Sequence, residues 1–185
     1  IVNPGANAET THEQVPDDIL NEKALVLVQT ELAEAENDEL LARAKQGGTK
    51  TVMNLSPSIK MSKRMLKNID YLIVNHDEAK KLAVQMGMKM EVNAMKIAEG
   101  LAQLGGLYCI ITLGERGAVA VTPDRVGWEV SALELEEVVD HAGAEDAYCG
   151  TFAACIYNRM PFPTALKWAS IAGSLACTKP GVQDS

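Results

Sequence analysis

Short apolar runs alternate along the chain with longer segments in which apolar residues recur every three or four positions. The runs at 24–28 (ALVLV), 51–55 (TVMNL), 71–74 (YLIV) and 108–112 (YCIIT) have the length and composition of central strands buried on both faces of a sheet. The segments 33–46, 62–68, 77–87 and 92–104 between them are predicted helices, each suited in length to a crossover between parallel strands. After Thr112 the pattern changes. AVAV at 118–121 and a strand near 127–131 are separated by TPDRV, where Pro123 and Asp124 favour a turn, so an antiparallel hairpin is expected. From Ala142 to Lys179 the chain turns helical, with helices predicted at 144–159 and 163–178 divided by MPFP, whose prolines stop one helix and start the next. The fold class is α/β with a mostly parallel central sheet and helices on its faces.

The chain's 185 residues are 47% hydrophobic, the make-up of one globular domain able to bury roughly 70% of its unfolded surface. With 17 Lys+Arg against 25 Asp+Glu, a net charge of −8 and no basic block, a nucleic-acid partner is not expected. No run of about 18 apolar residues and no charged leader before an apolar stretch occurs, so no membrane partner is expected and a cytoplasmic location is. Cys109, Cys149, Cys155 and Cys177 form no CxxC pair and lie in apolar runs, as buried structural thiols do. The acidic run 31–40 reads as a solvated helix face. Trp128 and Trp168 read as packing residues, and His12 and His76 offer no metal cluster.

Three segments carry candidate chemistry. In VVDHAGAEDAYCG (138–150) a strand is expected to end at Asp140, with a small-residue turn and a helix starting near Glu145 or Asp146. Free N–H groups and the positive end of the helix dipole would then meet at an anion site, where an Asp in the first turn can take a proton from a hydroxyl. Capping by Asp140 or Asp146 explains the same spacing. TLGERG (112–117) has two glycines that either let a loop approach a ligand or make a tight turn into AVAV. In NHDE (75–78), at the ligand edge of such a sheet, Glu78 either holds Mg²⁺ through water or closes a capping box with Asn75.

In chain order PGAN (4–7), QTE (29–31), NLSPS (54–58), NHDE, TLGERG, DHAGAEDAYCG (140–150) and TKPGVQDS (178–185) resemble the PfkB carbohydrate kinases, the ribokinase-like members most closely. The resemblance covers essentially the whole chain and implies a three-layer αβα fold that binds ATP and a sugar along one sheet edge. It assigns Asp146 as the base acting on the sugar hydroxyl, and the Gly143, Ala144, Glu145 and Asp146 turn as the anion hole. Asn75 and Glu78 then organise Mg²⁺ and the phosphates, while Thr112, Gly114, Gly117 and Ser170 contact the nucleotide. Glu31 contacts the sugar, and Asp140 with Ser185 forms part of a monovalent-cation site, with K⁺ as the expected ion. The implied activity is a carbohydrate kinase with ATP and a sugar as small-molecule partners and a homodimer in the complete protein.

Two departures from the family pattern stand out. The family's GAGD turn reads GAED here, with Glu145 in place of glycine. A carboxylate about 4 Å from a phosphoryl charge costs on the order of 4 kcal/mol at an effective dielectric of 20, roughly three decades in rate. A glycine-only backbone there would add about 1–2 kcal/mol. A catalytically impaired member that binds nucleotide or a partner protein is therefore the alternative expectation. The other departure is at the start: PGAN belongs to the middle of such a protein. Residues 1–185 are thus expected to form a partial kinase domain, the nucleotide-binding half with part of the sugar site, lacking the N-terminal portion and β lid.

Overall fold

The computed structural model describes residues 5–57 and 60–182. Six strands form one sheet: β1 (Leu25–Gln29), β2 (Lys50–Asn54), β3 (Tyr71–Asn75), β4 (Tyr108–Thr112), β5 (Ala118–Val121) and β6 (Gly127–Val130). Their spatial order is their chain order. The first four are parallel, whereas β5 and β6 add on antiparallel as the expected hairpin. The crossovers contain α1 (Glu34–Gln46), α2 (Lys63–Lys67), α3 (His76–Gln85) and α4 (Ala94–Gly105), and α5 (Ala144–Tyr157) and α6 (Phe162–Ala176) follow the hairpin.

Because the strands advance in one direction, right-handed crossovers put α1 to α4 on the same face. Strand alternation then divides the core in two. Leu72, Val74, Cys109, Ile111, Val119 and Val121 pack with α1–α4. Ile73, Ile110, Ala118 and Ala120 point the other way, against Phe152 of α5 and Ala165 of α6. These are three layers, with all four cysteines free and buried. Proline sits where predicted, at the start of α6, where its missing N–H leaves no bond unmade.

The structure corrects three expectations. No strand ends at Asp140: residues 131–142 run outside the sheet, and the N–H groups of Val139 and Asp140 go to Cys177 O at 2.9 and 3.3 Å. With these donors committed to the end of α6, the segment cannot extend the ladder. Two-sided burial fails at β1, the edge strand, where Leu27 is 42% exposed. Trp168 is 52% exposed, because α6 turns Ala165, Leu166 and Ala169 toward the sheet and position 168 away from it, whereas Trp128 packs as expected.

Candidate active site

The C-terminal ends of β3 and β4 and the start of α5 share one cleft of about 830 Å³. At the end of β3, Asn75 caps α3. Its side chain accepts the Glu78 N–H at 3.0 Å and Glu78 Oε2 accepts the Asn75 N–H at 2.9 Å, so the capping box is real. Glu78 is only 7% exposed, and burial raises its pKa against hydrogen bonds from Asn75 and Ser56. After β4, Gly114–Arg116 make one 3-10 turn, and Leu113 N–H donates to Gly117 O at 2.7 Å. Gly117 has φ +87°, and a Cβ there would stand 2.0 Å from Val130 O. The loop is both a tight turn into β5 and a wall of the cleft, which Thr112, Gly114 and Gly117 all line.

At the start of α5, Gly143 is the N-cap residue with φ +77°, a left-handed conformation that suits glycine. Ala144 N–H reaches His141 O at 3.3 Å and Ala147 N–H reaches Gly143 O at 2.8 Å. Among the described residues, the N–H groups of Glu145 and Asp146 have no acceptor. Two backbone donors are therefore uncommitted at the helix start, while Ala144, whose N–H makes the 3.3 Å bond to His141 O, lines the cleft. Asp140 builds the turn: its carboxylate accepts Ala142 N–H and Gly181 N–H, each at 2.9 Å. Those bonds, Gly181 first, hold its pKa below the usual carboxylate value. Asp146, by contrast, does not cap the helix. It is exposed and makes no side-chain hydrogen bond or ion pair among the described residues.

Glu145 lies within α5, with ordinary right-handed backbone, so the strain expected of a side chain at this position is absent. Its carboxyl turns inward, and Oε1 is buried with no hydrogen-bond partner among the described residues. Burial is the main force raising its pKa, the Glu78 charge adds to it, and contact with the Asn54 side chain opposes both. Asn54, the last residue of β2, is 5% exposed; its Nδ2 donates to Cys149 Sγ at 2.8 Å, while its Oδ1 has no hydrogen-bond partner among the described residues. Burial pushes the Cys149 thiol up to about 12, so it is a neutral packing group, as the sequence suggests. The Glu78 and Glu145 carboxylates are near enough for their charges to interact, and carboxylate oxygens are the donors that suit a hard cation such as Mg²⁺.

The cleft brings together Asn75, Thr112, Gly114, Gly117, Ala144, Glu145 and Ser170. The Ser170 hydroxyl is engaged, donating to Ser131 O at 3.0 Å. Exposed His141 stands in the wall, its Nδ1 3.9 Å from Cys177 Sγ. Asp146 and Glu78 lie next to the cleft without lining it, and Ser185 is outside the described residues. Glu31 follows the end of β1 at the same sheet edge, outside the residues that line the cleft, and Asn7 donates to it at 3.5 Å. Sequence reasoning assigned no role to Asn54 or to Tyr148, a cleft residue whose buried hydroxyl has no partner. The available signal for Asn54 was a polar residue closing an apolar strand at the ligand edge.

A three-layer α/β domain with a cleft at the C-terminal ends of its strands and uncommitted N–H groups at a helix start beside it is the class of protein that this fold and cleft define. Over residues 1–185 the chain matches the pfkB family carbohydrate kinases, and it belongs to that family. It is 26% identical to a ribokinase of Lactococcus lactis over 185 residues, 99% of this chain and 58% of that protein. A deoxyribokinase of Salmonella typhi is also 26% identical, over 179 residues and 57% of its length. Among solved structures, Thermotoga maritima ribokinase superposes with a TM-score of 0.87 at 25% identity, covering 99% of this chain and 60% of that one. The fold of Arabidopsis thaliana ribokinase complexed with ribose and ATP matches with a TM-score of 0.82 at 24% identity, over 98% of this chain and 59% of that one. This chain thus spans less than two thirds of these relatives.

Proposed function

We propose that this chain supplies the nucleotide-binding half and part of the sugar site of an ATP-dependent sugar kinase acting on a hydroxymethyl group of ribose or a related sugar. One observation carries the reading: Asp146, exposed and free of side-chain bonds, stands at a helix start where two N–H groups have no acceptor. Asp146 takes the proton of the sugar hydroxyl, whose oxygen forms a bond to the γ-phosphorus as the bond to the ADP oxygen breaks. The N–H groups of Glu145 and Asp146 donate to the transferring phosphoryl oxygens, and the helix dipole adds to their effect.

The loop at Thr112, Gly114 and Gly117, with Ser170 beyond it, borders the nucleotide, and Glu31 orients the sugar. Asn75 and Glu78 would hold Mg²⁺ beside the phosphates, and the bound ion would supply positive charge to the transferring group. Asp140 and Ser185 belong to a K⁺ site in the same reading, and a cytoplasmic homodimer is the expected complete form. The test is ADP release by the full-length protein with ATP, Mg²⁺ and K⁺ over a panel of pentoses and hexoses, beside direct measurement of ATP binding.

The inward Glu145 carboxyl favours a second reading. It places a like charge on the phosphate side of the turn, and an impaired member would bind ATP without consuming it. Glu145→Gly separates the two readings: a gain of one or more decades in turnover supports the impaired form, and unchanged turnover rejects it.

A further inference from the structure

We propose that the chain carries a second small-molecule site, at the edge of the sheet opposite the cleft, for a phosphate monoester that bears a flat aromatic ring. A cavity of about 670 Å³ lies there, within the size range of small-molecule sites. Each of the four parallel strands gives its first residue to the wall: Leu25, Lys50, Tyr71 and Tyr108. The cavity is thus at the N-terminal ends of these strands, whereas the candidate active site is at the C-terminal ends of β3 and β4.

The floor suits a ring. Tyr71 and Tyr108 stack with their centroids 4.8 Å apart, and Phe162, the first residue of α6, stands 4.8 Å from Tyr108. All three are only half-buried and line the cavity, so a flat ligand finds aromatic surface to pack on. Burial pushes the Tyr71 hydroxyl up to about 12, with Tyr108 and Asp70 adding to the effect, so at neutral pH it is an uncharged donor.

Charge sets the sign of the ligand. In a chain with a net charge of −8, this cavity is walled by Lys23, Lys50 and Arg159 against one carboxylate, Glu22. Among the described residues the three cationic side chains make no hydrogen bond or ion pair. The excess of about +2 matches a phosphate monoester, which carries about −1.5 to −2 at neutral pH. Because α5 ends and α6 begins at this place, their dipoles oppose each other, and the side chains decide the local potential.

Arg159 occupies a glycine's position. Its N–H donates to Ile156 O at 2.9 Å and the Met160 N–H donates to Cys155 O at 3.0 Å, the pair of bonds that closes a helix on a left-handed residue, most often glycine. Arginine takes that conformation here, with φ +58°. The chain accepts backbone strain at the end of α5 and thereby sets a guanidinium in the cavity wall. Within the chain that guanidinium has no anionic partner to offset the strain, and a bound phosphate supplies one.

The site does not depend on the kinase reading. Its test is fluorescence titration of the full-length protein with 1-naphthyl phosphate, with and without saturating ATP, beside 1-naphthol and inorganic phosphate. The wild type is expected to bind one 1-naphthyl phosphate per chain whether or not ATP is present, and to bind the other two at least ~10-fold more weakly, since each lacks one half of the interaction. Arg159→Gly is expected to lose at least ~10-fold in affinity yet to melt about 2–4 °C above wild type, because glycine takes the left-handed position without strain. Lys50→Gln, on the strand side, is expected to lose affinity with its melting temperature unchanged, which separates lost binding from lost folding. An Arg159→Gly protein that melts cooperatively and binds 1-naphthyl phosphate as the wild type does overturns the proposal. So does binding to the wild type that ATP displaces, or the absence of binding at about 1 mM.

Discussion

Asn7 Nδ2 donates to Glu31 Oε2 at 3.5 Å, joining two segments 24 residues apart in sequence. The contact brings Asn7 and Glu31 to a single place on the surface, beyond the end of β1. Both side chains are polar and solvent-facing, so the pairing contributes little to stability. In the proposed kinase the pair would present an amide and a carboxylate together, a donor and an acceptor for sugar hydroxyls. Glu31→Ala is expected to raise the KM for the sugar about 10–100-fold, the loss of one charged hydrogen bond, with the melting temperature nearly unchanged. Steady-state kinetics beside a melting curve check this, and a fall in stability with KM unchanged would contradict it.

Gly117 joins β4 to β5 where no side chain fits. At φ +87° an L-residue is strained by about 1–2 kcal/mol, and a Cβ would meet Val130 O at 2.0 Å. Gly117→Ala is therefore expected to lose at least 2 kcal/mol in urea unfolding and to weaken ATP binding, since the same loop walls the cleft. Gly114→Ala, also at positive φ but with open space around it, is the milder comparison.

The two shifted carboxylates of the α5 turn make opposite contributions to stability. Glu145 has its pKa raised by burial and by Glu78, so the folded state binds its proton more tightly than the unfolded state does. Stability is thus lost as pH rises from the ordinary value of 4.5 through the higher folded value. In chelator, Glu145→Gln is expected to be more stable than wild type at pH 7, with the gap closing below about pH 4. Asp140 has its pKa lowered by the Gly181 and Ala142 N–H groups, so its contribution is present at neutral pH and fades as pH falls below 3.8. Asp140→Asn is expected to lose stability at neutral pH and to match wild type in acid. Melting temperatures between pH 3 and 8 test both signs.

Much of the fold was legible because strand and helix periods leave different marks. YCIIT became β4 residue for residue, and AVAV became β5, since a short apolar run bounded by turn residues has few alternatives. The stretch before Asp140 misled because its backbone donors are claimed by Cys177 O, a tertiary partner that local pattern does not register. In the site, the Asn75 cap and the glycine turn at Gly117 could be read from spacing, whereas Thr112 was named only through the family resemblance. Orientation could not. Whether Glu145 faced solvent or Asn54 depended on the pitch of α5 against the sheet, and Asn54 gained its importance only through that contact. Whether Asp146 caps the helix was likewise decided by Gly143, which takes the N-cap position.

The central claim is that Asp146 is the base of a sugar kinase, and the most direct test is kcat of the full-length Asp146→Asn protein with ribose, ATP, Mg²⁺ and K⁺. Because the side chain is exposed and unbonded, folding and ATP affinity are expected to stay at wild-type values while kcat falls by about 10²–10⁴-fold. Sugar-dependent ADP release that survives the substitution within a factor of about 3 would contradict the account.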